Sequence, residues 1–292
     1  MSSAASTLPA SALPAVRRRR QTALQRRIMI ERIALVAIIL VYMIPVVWLV
    51  ATAYKPPKDM FSSPPSFVFT PTLHNFQRVF EVFDVWSLLK SSIIISLGSA
   101  ALSLLLGVPA GYALARSQSR YAIWVAYFFL AIRTVPIIAT LIPFYLMMRD
   151  IGLLGTWWAV ILINTTLNCA FVTWMMFSYF RSLPRDMEEA ALTDGCTQWG
   201  AFIRVALPTV VPGIIASTLF CVMFSWNDFL VAMFLTNLDS KPLSVALLAA
   251  FGTKDITWGT LGALAHFSTV PIMLMALFMN RYFVQGLTKG VH

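Results

Sequence analysis

Charge is what this sequence has least of. Only 12% of its 292 residues are Asp, Glu, Lys or Arg, and the acidic ones number just 12. A soluble domain carries about a quarter charged residues, so this chain has too little polar surface to cover itself in water. The apolar fraction of 59% and the mean hydropathy of +0.76 agree. Lipid is the solvent that this composition fits. Cysteine is also sparse: Cys169, Cys196 and Cys221 lie 27 and 25 residues apart. Those spacings suit neither a zinc site nor a disulfide framework, and the three read as packing residues. Several motifs are missing altogether. Without Gly-x-x-x-x-Gly-Lys-Ser/Thr the chain does not itself cradle ATP phosphates. Without His-Glu-x-x-His or paired Asp motifs it is no membrane hydrolase or transferase, and without a Thr-Val-Gly-Tyr-Gly filter or an arginine ladder it is no voltage-gated channel. No period of about 20–50 residues repeats, which excludes a solenoid.

What charge there is lies unevenly. The net +10 is concentrated at the start, where Arg17, Arg18, Arg19, Arg20, Arg26, Arg27 and Arg32 are offset only by Glu31. No aromatic residue interleaves with this run, which argues against nucleic acid, whereas a basic run before an apolar span is the positive-inside signal. The apolar stretch from Ile33 to Ala53 is long enough to span and has no small-residue cleavage site after it, so it reads as a membrane helix and not a cleaved signal. A span needs about 20 apolar residues to cross about 30 Å of hydrocarbon. Six segments qualify: 33–53, 92–114, 121–147, 157–180, 208–235 and 261–283. The expected protein is therefore all-α and polytopic. Lys and Arg divide 14 to 7 between the two sides, with Arg133 inside a span, and the bias puts both termini in the cytoplasm. Residues 1–32 form a basic cytoplasmic segment, 33–53 the first span, 54–91 an external loop, 92–283 the transmembrane core, and 284–292 a cytoplasmic tail. Pro56, Pro57, Pro64, Pro65 and Pro71 should keep the external loop extended.

One polar inner segment, 181–207, belongs to no span yet has a helical pattern. Pro184 suits a first turn, and Asp186, Glu188 and Glu189 follow where the helix dipole favours negative charge. Ala190 and Ala191 leave one face flat. Gly195 ends the run at a turn that needs either a positive φ or a close backbone approach. Phe202, Ile203 and Leu207 are apolar, and Pro208 and Pro212 begin the fifth span and can bend it. By itself this describes an amphipathic interfacial helix.

The spacing says more. Glu189-Ala190-Ala191, three residues, Gly195, nine residues, then Val205-Ala206-Leu207-Pro208 resembles the EAA signature of binding-protein-dependent ABC importer permeases, with Val205 where that family usually has Ile. Tyr54-Lys55-Pro56, Leu73-His74-Asn75-Phe76, Gly111-Tyr112-Ala113-Leu114-Ala115-Arg116, Ile151-Gly152-Leu153-Leu154 with Thr156-Trp157-Trp158, and Ser225-Trp226-Asn227-Asp228-Phe229-Leu230 are similar to the carbohydrate branch that includes the maltose permease. The tail Gln285-Gly286-Leu287-Thr288-Lys289-Gly290 resembles the terminus of the smaller permease there. The resemblance implies a type I ABC importer permease of a bacterial inner membrane, carrying a sugar or polyol. It also implies that Glu189, Ala190, Ala191, Gly195, Leu207 and Pro208 couple to an ATPase. Gln285, Gly286, Leu287 and Thr288 would reach that ATPase too. The implied partners are a second homologous permease, two ATPase subunits that hold ATP and Mg, and an extracytoplasmic solute-binding protein, with no cofactor on this chain.

Polar residues inside spans are the candidates for a transport path. A charge at mid-membrane costs about 2.5–3.5 kcal/mol on insertion scales, so Arg133 should face protein or water. Its fork can bond vicinal hydroxyls, or it is a paired or snorkelling arginine. Asn227 and Asp228 fall within the fifth span and either bind hydroxyls, pair with Arg133 or a partner, or join helices. Gly107 and Gly111 form a GxxxG spacing that suits close helix packing, and His266 has no acidic sequence neighbour to make a proton relay. Trp157, Trp158 and Trp258 suit interfacial anchors, and Trp258 could also line a sugar path. The rival class is an ion-coupled secondary transporter, for which Asp228 is the one intramembrane carboxylate available.

Overall fold

The computed structural model describes the backbone of residues 13–60, 62, 66, 68–251 and 257–288, and the side chains of those among them that lie within 25–277. Every regular element there is a helix. Pairing of extended chain is limited to one isolated bridge between Gly155 and Thr236. The contacts divide the chain after Thr52. The first unit holds most of helix α1 (Leu13–Tyr54), whose side chains from residue 25 to 50 are exposed on all faces. Beyond Arg32 this helix is apolar all round, as a lipid-facing helix is.

The second unit begins with a correction. The segment 54–91 is not extended throughout: it contains α2 (His74–Val82) and the first turns of α3 (Val85–Arg116). Hydropathy fades at Lys90, but helical hydrogen bonding continues back to Asp84, whose side chain caps the backbone N–H of Ser87 at 3.1 Å. Asn75, from α2, donates to the carbonyls of Ala53 (2.9 Å) and Lys55 (2.8 Å) and so ties the loop to the end of α1.

The core is built on α3 lying along α6 (Trp157–Arg181). The contact face of α3 is small throughout, with Ser92, Ser96, Ser99, Ser103, Gly107 and Gly111 all buried. Ser96, Ser99 and Ser103 return their hydroxyls to carbonyls of their own helix, as Ser99 does to Ile95 at 2.7 Å, and Ser92 accepts from the Leu243 N–H at 2.8 Å, so they cost little inside lipid. A Cβ on Gly111 would stand 2.8 Å from the Phe177 nitrogen, and one on Gly107 2.8 Å from the Val172 Cβ. The glycine spacing therefore does mark two backbones in contact.

Two of the six expected spans are broken. The third is split into α4 (Ala122–Ile132) and α5 (Ile137–Asp150), which meet at 87° across Arg133 to Pro136. The fifth starts in α8 (Gln198–Ala201), passes through a π-helical turn at Phe202–Ala206 and α9 (Leu207–Thr209), then bends by 76° into α10 (Val211–Trp226). It ends at Trp226, before the short α11 (Leu230–Leu235). After α12 (Leu243–Ala250) comes the last long helix, α13 (Trp258–Thr288). Four helices can span by themselves, and six spans result when each bent pair counts as one.

Candidate functional site

The polar segment after α6 folds into short helices. It holds α7 (Asp186–Thr193), with Pro184 just outside the first turn and Arg185 as N-cap. Asp186, Glu188 and Glu189 occupy that turn. The helix stops in a Schellman motif: the N–H of Gly195 bonds the Leu192 carbonyl at 3.1 Å and that of Cys196 bonds the Ala191 carbonyl at 3.0 Å. Gly195 has φ +88°, and a Cβ there would meet nothing within 4 Å. Of the two reasons for a glycine, the positive φ is the operative one. Thr197 then caps the next helix through Gly200 N–H at 3.1 Å.

Two adjacent glutamates do different things. Glu189 and Ala190 are exposed and Ala191 is half-buried, and Met187, Leu192 and Trp199 are exposed to 47%, 40% and 61%. Glu188 turns inward. Its carboxylate accepts from Arg116 Nε at 2.9 and 3.0 Å, from a second Arg116 nitrogen, and from the Tyr112 hydroxyl at 2.8 Å. Tyr112 also packs on Phe180 and Phe202, with ring centroids 5.2 and 4.6 Å away. The ends of α3 and α6 are thus fastened to both helices of the segment. In sequence alone Glu188 has only a helix-dipole role, and Arg116 is only the end of the Gly111 to Arg116 motif. Leu207 is half-buried against the core, Pro208 is exposed, and Val210 beside the bend is buried.

The intramembrane residues gather at the breaks. Arg133 caps α4, and its guanidinium lies 3.7 Å from the Phe224 ring centroid and 5.0 Å from that of Phe171. Its Nη1 is buried with no hydrogen-bond partner. It does not pair with Asp228: the ion pairs among the described residues are Arg27–Glu31, Arg78–Glu81, Arg116–Glu188 and Arg149–Asp150. Asn227 and Asp228 are not inside a continuous helix. Asn227 is exposed and bonds back to the Met223 carbonyl at 2.8 Å, closing α10. Asp228 Oδ1 accepts from Val231 N–H at 3.3 Å, opening α11, while its Oδ2 is buried and unbonded. The bonds that join these helices come from their neighbours, Ser225 and Trp226 of the same motif: Asn168 donates to Ser225 Oγ at 2.9 Å, and Trp226 Nε1 to the Ser268 carbonyl at 3.1 Å.

His266 packs edge-on to Tyr54 and Phe76, at 6.2 and 5.8 Å. Trp157 is not a free anchor but donates to Ser91 Oγ at 3.0 Å, whereas Trp158 and Trp258 are exposed. The tail residues Gln285, Gly286, Leu287 and Thr288 continue α13, and their side chains lie outside the described residues.

With this geometry in place, known proteins give a consistent picture. Residues 103–289 match the family model described as binding-protein-dependent transport system inner membrane component. The chain is 35% identical to the probable ABC transporter permease protein y4oR of Sinorhizobium fredii, over 86% of this chain and 90% of that one. It is 32% identical to the sulfoquinovosyl glycerol transport system permease protein SmoH of Agrobacterium fabrum, covering 84% and 87%. Its fold matches a chain from the crystal structure of a bacterial ABC transporter involved in import of the acidic polysaccharide alginate, with TM-score 0.71 at 21% identity, over 95% of this chain and 99% of that one.

Proposed function

The chain belongs to the family of binding-protein-dependent transport system inner membrane components, and on that premise we propose that it is the permease of an ATP-driven importer for a carbohydrate, a sugar or polyol. The ATPase lies on separate subunits, and a second permease and an extracytoplasmic binding protein complete the machine. The named substrates of two similar proteins, sulfoquinovosyl glycerol and alginate, support the carbohydrate class. Family membership sets aside the ion-coupled carrier.

The observation that carries the mechanism is the mooring of α7. Its outer face presents Glu189 and Ala190 to a partner, while Glu188 holds Arg116 and Tyr112 on its inner face. In our reading the ATPase closes on ATP and grips the exposed face. The motion then passes by two routes: through Glu188 into α3, and through the second helix of the segment into α10. At the far end of α10 lie Asn227 and Asp228, and Arg133 stands over Phe224 of the same helix. Arg133 keeps a free donor and Asp228 a free acceptor, which is the chemistry that hydroxyl groups require. We assign these three to the substrate path, and Gln285, Gly286, Leu287 and Thr288 to a second ATPase contact. The α7 side is cytoplasmic in this reading, as are both termini.

Reconstitution with the partner permease, ATPase and binding protein in proteoliposomes tests the reading. Carbohydrate uptake should require ATP inside the ATPase-facing compartment and stop with a hydrolysis inhibitor. Uptake driven by an ion gradient without ATP would overturn it.

A further inference from the structure

At the end of the core that carries α7, the turn between α3 and α4 and the last turn of α6 enclose a cavity of about 390 Å³. Four arginines line it, Arg116, Arg120, Arg181 and Arg185, together with the apolar walls Ile123 and Phe177; among the described residues no Asp or Glu does. Of these four, Glu188 pairs with Arg116. Arg120 is held by Tyr121, with its guanidinium 5.0 Å from that ring and a hydrogen bond of 2.9 Å to its hydroxyl. Arg181 lies 5.6 Å from the Phe177 ring. Aromatic faces fix these two cations without neutralising them, so their remaining donors stay available.

We propose that this cavity binds the phosphodiester headgroup of an anionic phospholipid. Arginine forks match phosphate oxygens, and the volume is of ligand-pocket size. The neighbourhood is that of a bilayer surface: Tyr121, Trp124 and Tyr127 project outward from the adjoining turns of α4 at 58%, 70% and 53% exposure. Such aromatics sit at the headgroup level, and basic pockets between spans on the cytoplasmic side take acidic headgroups. Assignment to the inner leaflet rests on the orientation proposed above. Since Arg116 joins the cavity to Glu188, a bound lipid would steady the root of α7.

The assembled transporter, purified in mixed micelles of phosphatidylglycerol and phosphatidylcholine, can be examined by native mass spectrometry. The wild-type complex should retain phosphatidylglycerol in preference to phosphatidylcholine. Arg120→Gln with Arg181→Gln leaves the Arg116–Glu188 pair untouched and should weaken retention by about fivefold for each arginine. Arg120→Lys with Arg181→Lys keeps the charge and should hold most of the lipid, which separates loss of the site from misfolding. Equal retention by wild type and the glutamine variant, or no preference for the acidic lipid, would overturn the proposal. Displacement of the lipid by millimolar inorganic phosphate would assign the cavity to a soluble anion instead. A reversed orientation would leave retention unchanged and show itself only in cysteine labelling of residue 182.

Discussion

Replacing Arg116 by alanine would leave Glu188, whose side chain is only 9% exposed, with one hydroxyl for company. Removing one partner from a buried pair costs about 3–5 kcal/mol, because the other charge stays behind. Arg116→Ala should therefore lower the thermal midpoint of the purified protein, and adding Glu188→Gln should restore part of the loss. An Arg116→Ala midpoint equal to that of wild type would mean that the pair holds nothing. At the membrane break the contrast is between two cations. Arg133→Lys keeps the charge but loses the planar stack on Phe224, 3.7 Å away, and the fork. Uptake should fall while the partner permease still co-purifies; wild-type uptake would reduce Arg133 to a charge. Residue roles of this kind are only partly legible in a sequence. Gly195 was readable because a Schellman turn is local. Glu188 was not distinguishable from Glu189, because the difference lies in a partner 72 residues earlier in the chain.

At the level of elements, the turn after α7 is the sharpest test of coupling. Gly195→Val forces a β-branched residue to φ +88° in open space, so strain of about 1–3 kcal/mol is the whole effect. Gly195→Asn tolerates that φ and should keep most activity. The valine variant should reach the membrane and bind the partner permease, yet lose uptake and binding-protein-stimulated ATP hydrolysis. Glu189→Lys, reversing an exposed charge in the first turns, should do the same. If the valine and lysine variants transport and hydrolyse normally, α7 is an interfacial helix and nothing more. The spans themselves were legible because hydropathy and length decide them, and the breaks were not. Pro136 stands at a right-angled break, but Pro109 and Pro271 lie inside continuous helices. Proline thus permits a kink without deciding it. The Asn227–Phe229 break was hidden for a related reason, since apolar residues continue on both sides and only the caps at Asn227 and Asp228 divide the helix.

For the whole molecule, the open question is which way it faces. The asymmetry of Lys and Arg, 14 against 7, predicts residues 181–207 inside and 54–91 outside. Single cysteines at Ser182, which is exposed, and at Ser62 in a cysteine-free background should react oppositely with an impermeant reagent in intact cells. Position 62 should label and position 182 should not; the reverse pattern would invert the topology. The bend in the fifth span then has a consequence in leverage. Val210 is the single residue between α9 and α10. The arm before it, Gln198–Thr209, is ~18 Å long and the arm beyond it, Val211–Trp226, is ~24 Å. A rotation of about 5° about that point sweeps the far end of α10 through about 2 Å, roughly a third more than the near arm travels. If the two arms turn as one rigid piece, the geometry is that of a crank with a modest gain, with its largest stroke where Trp226 ends the helix and the polar break begins.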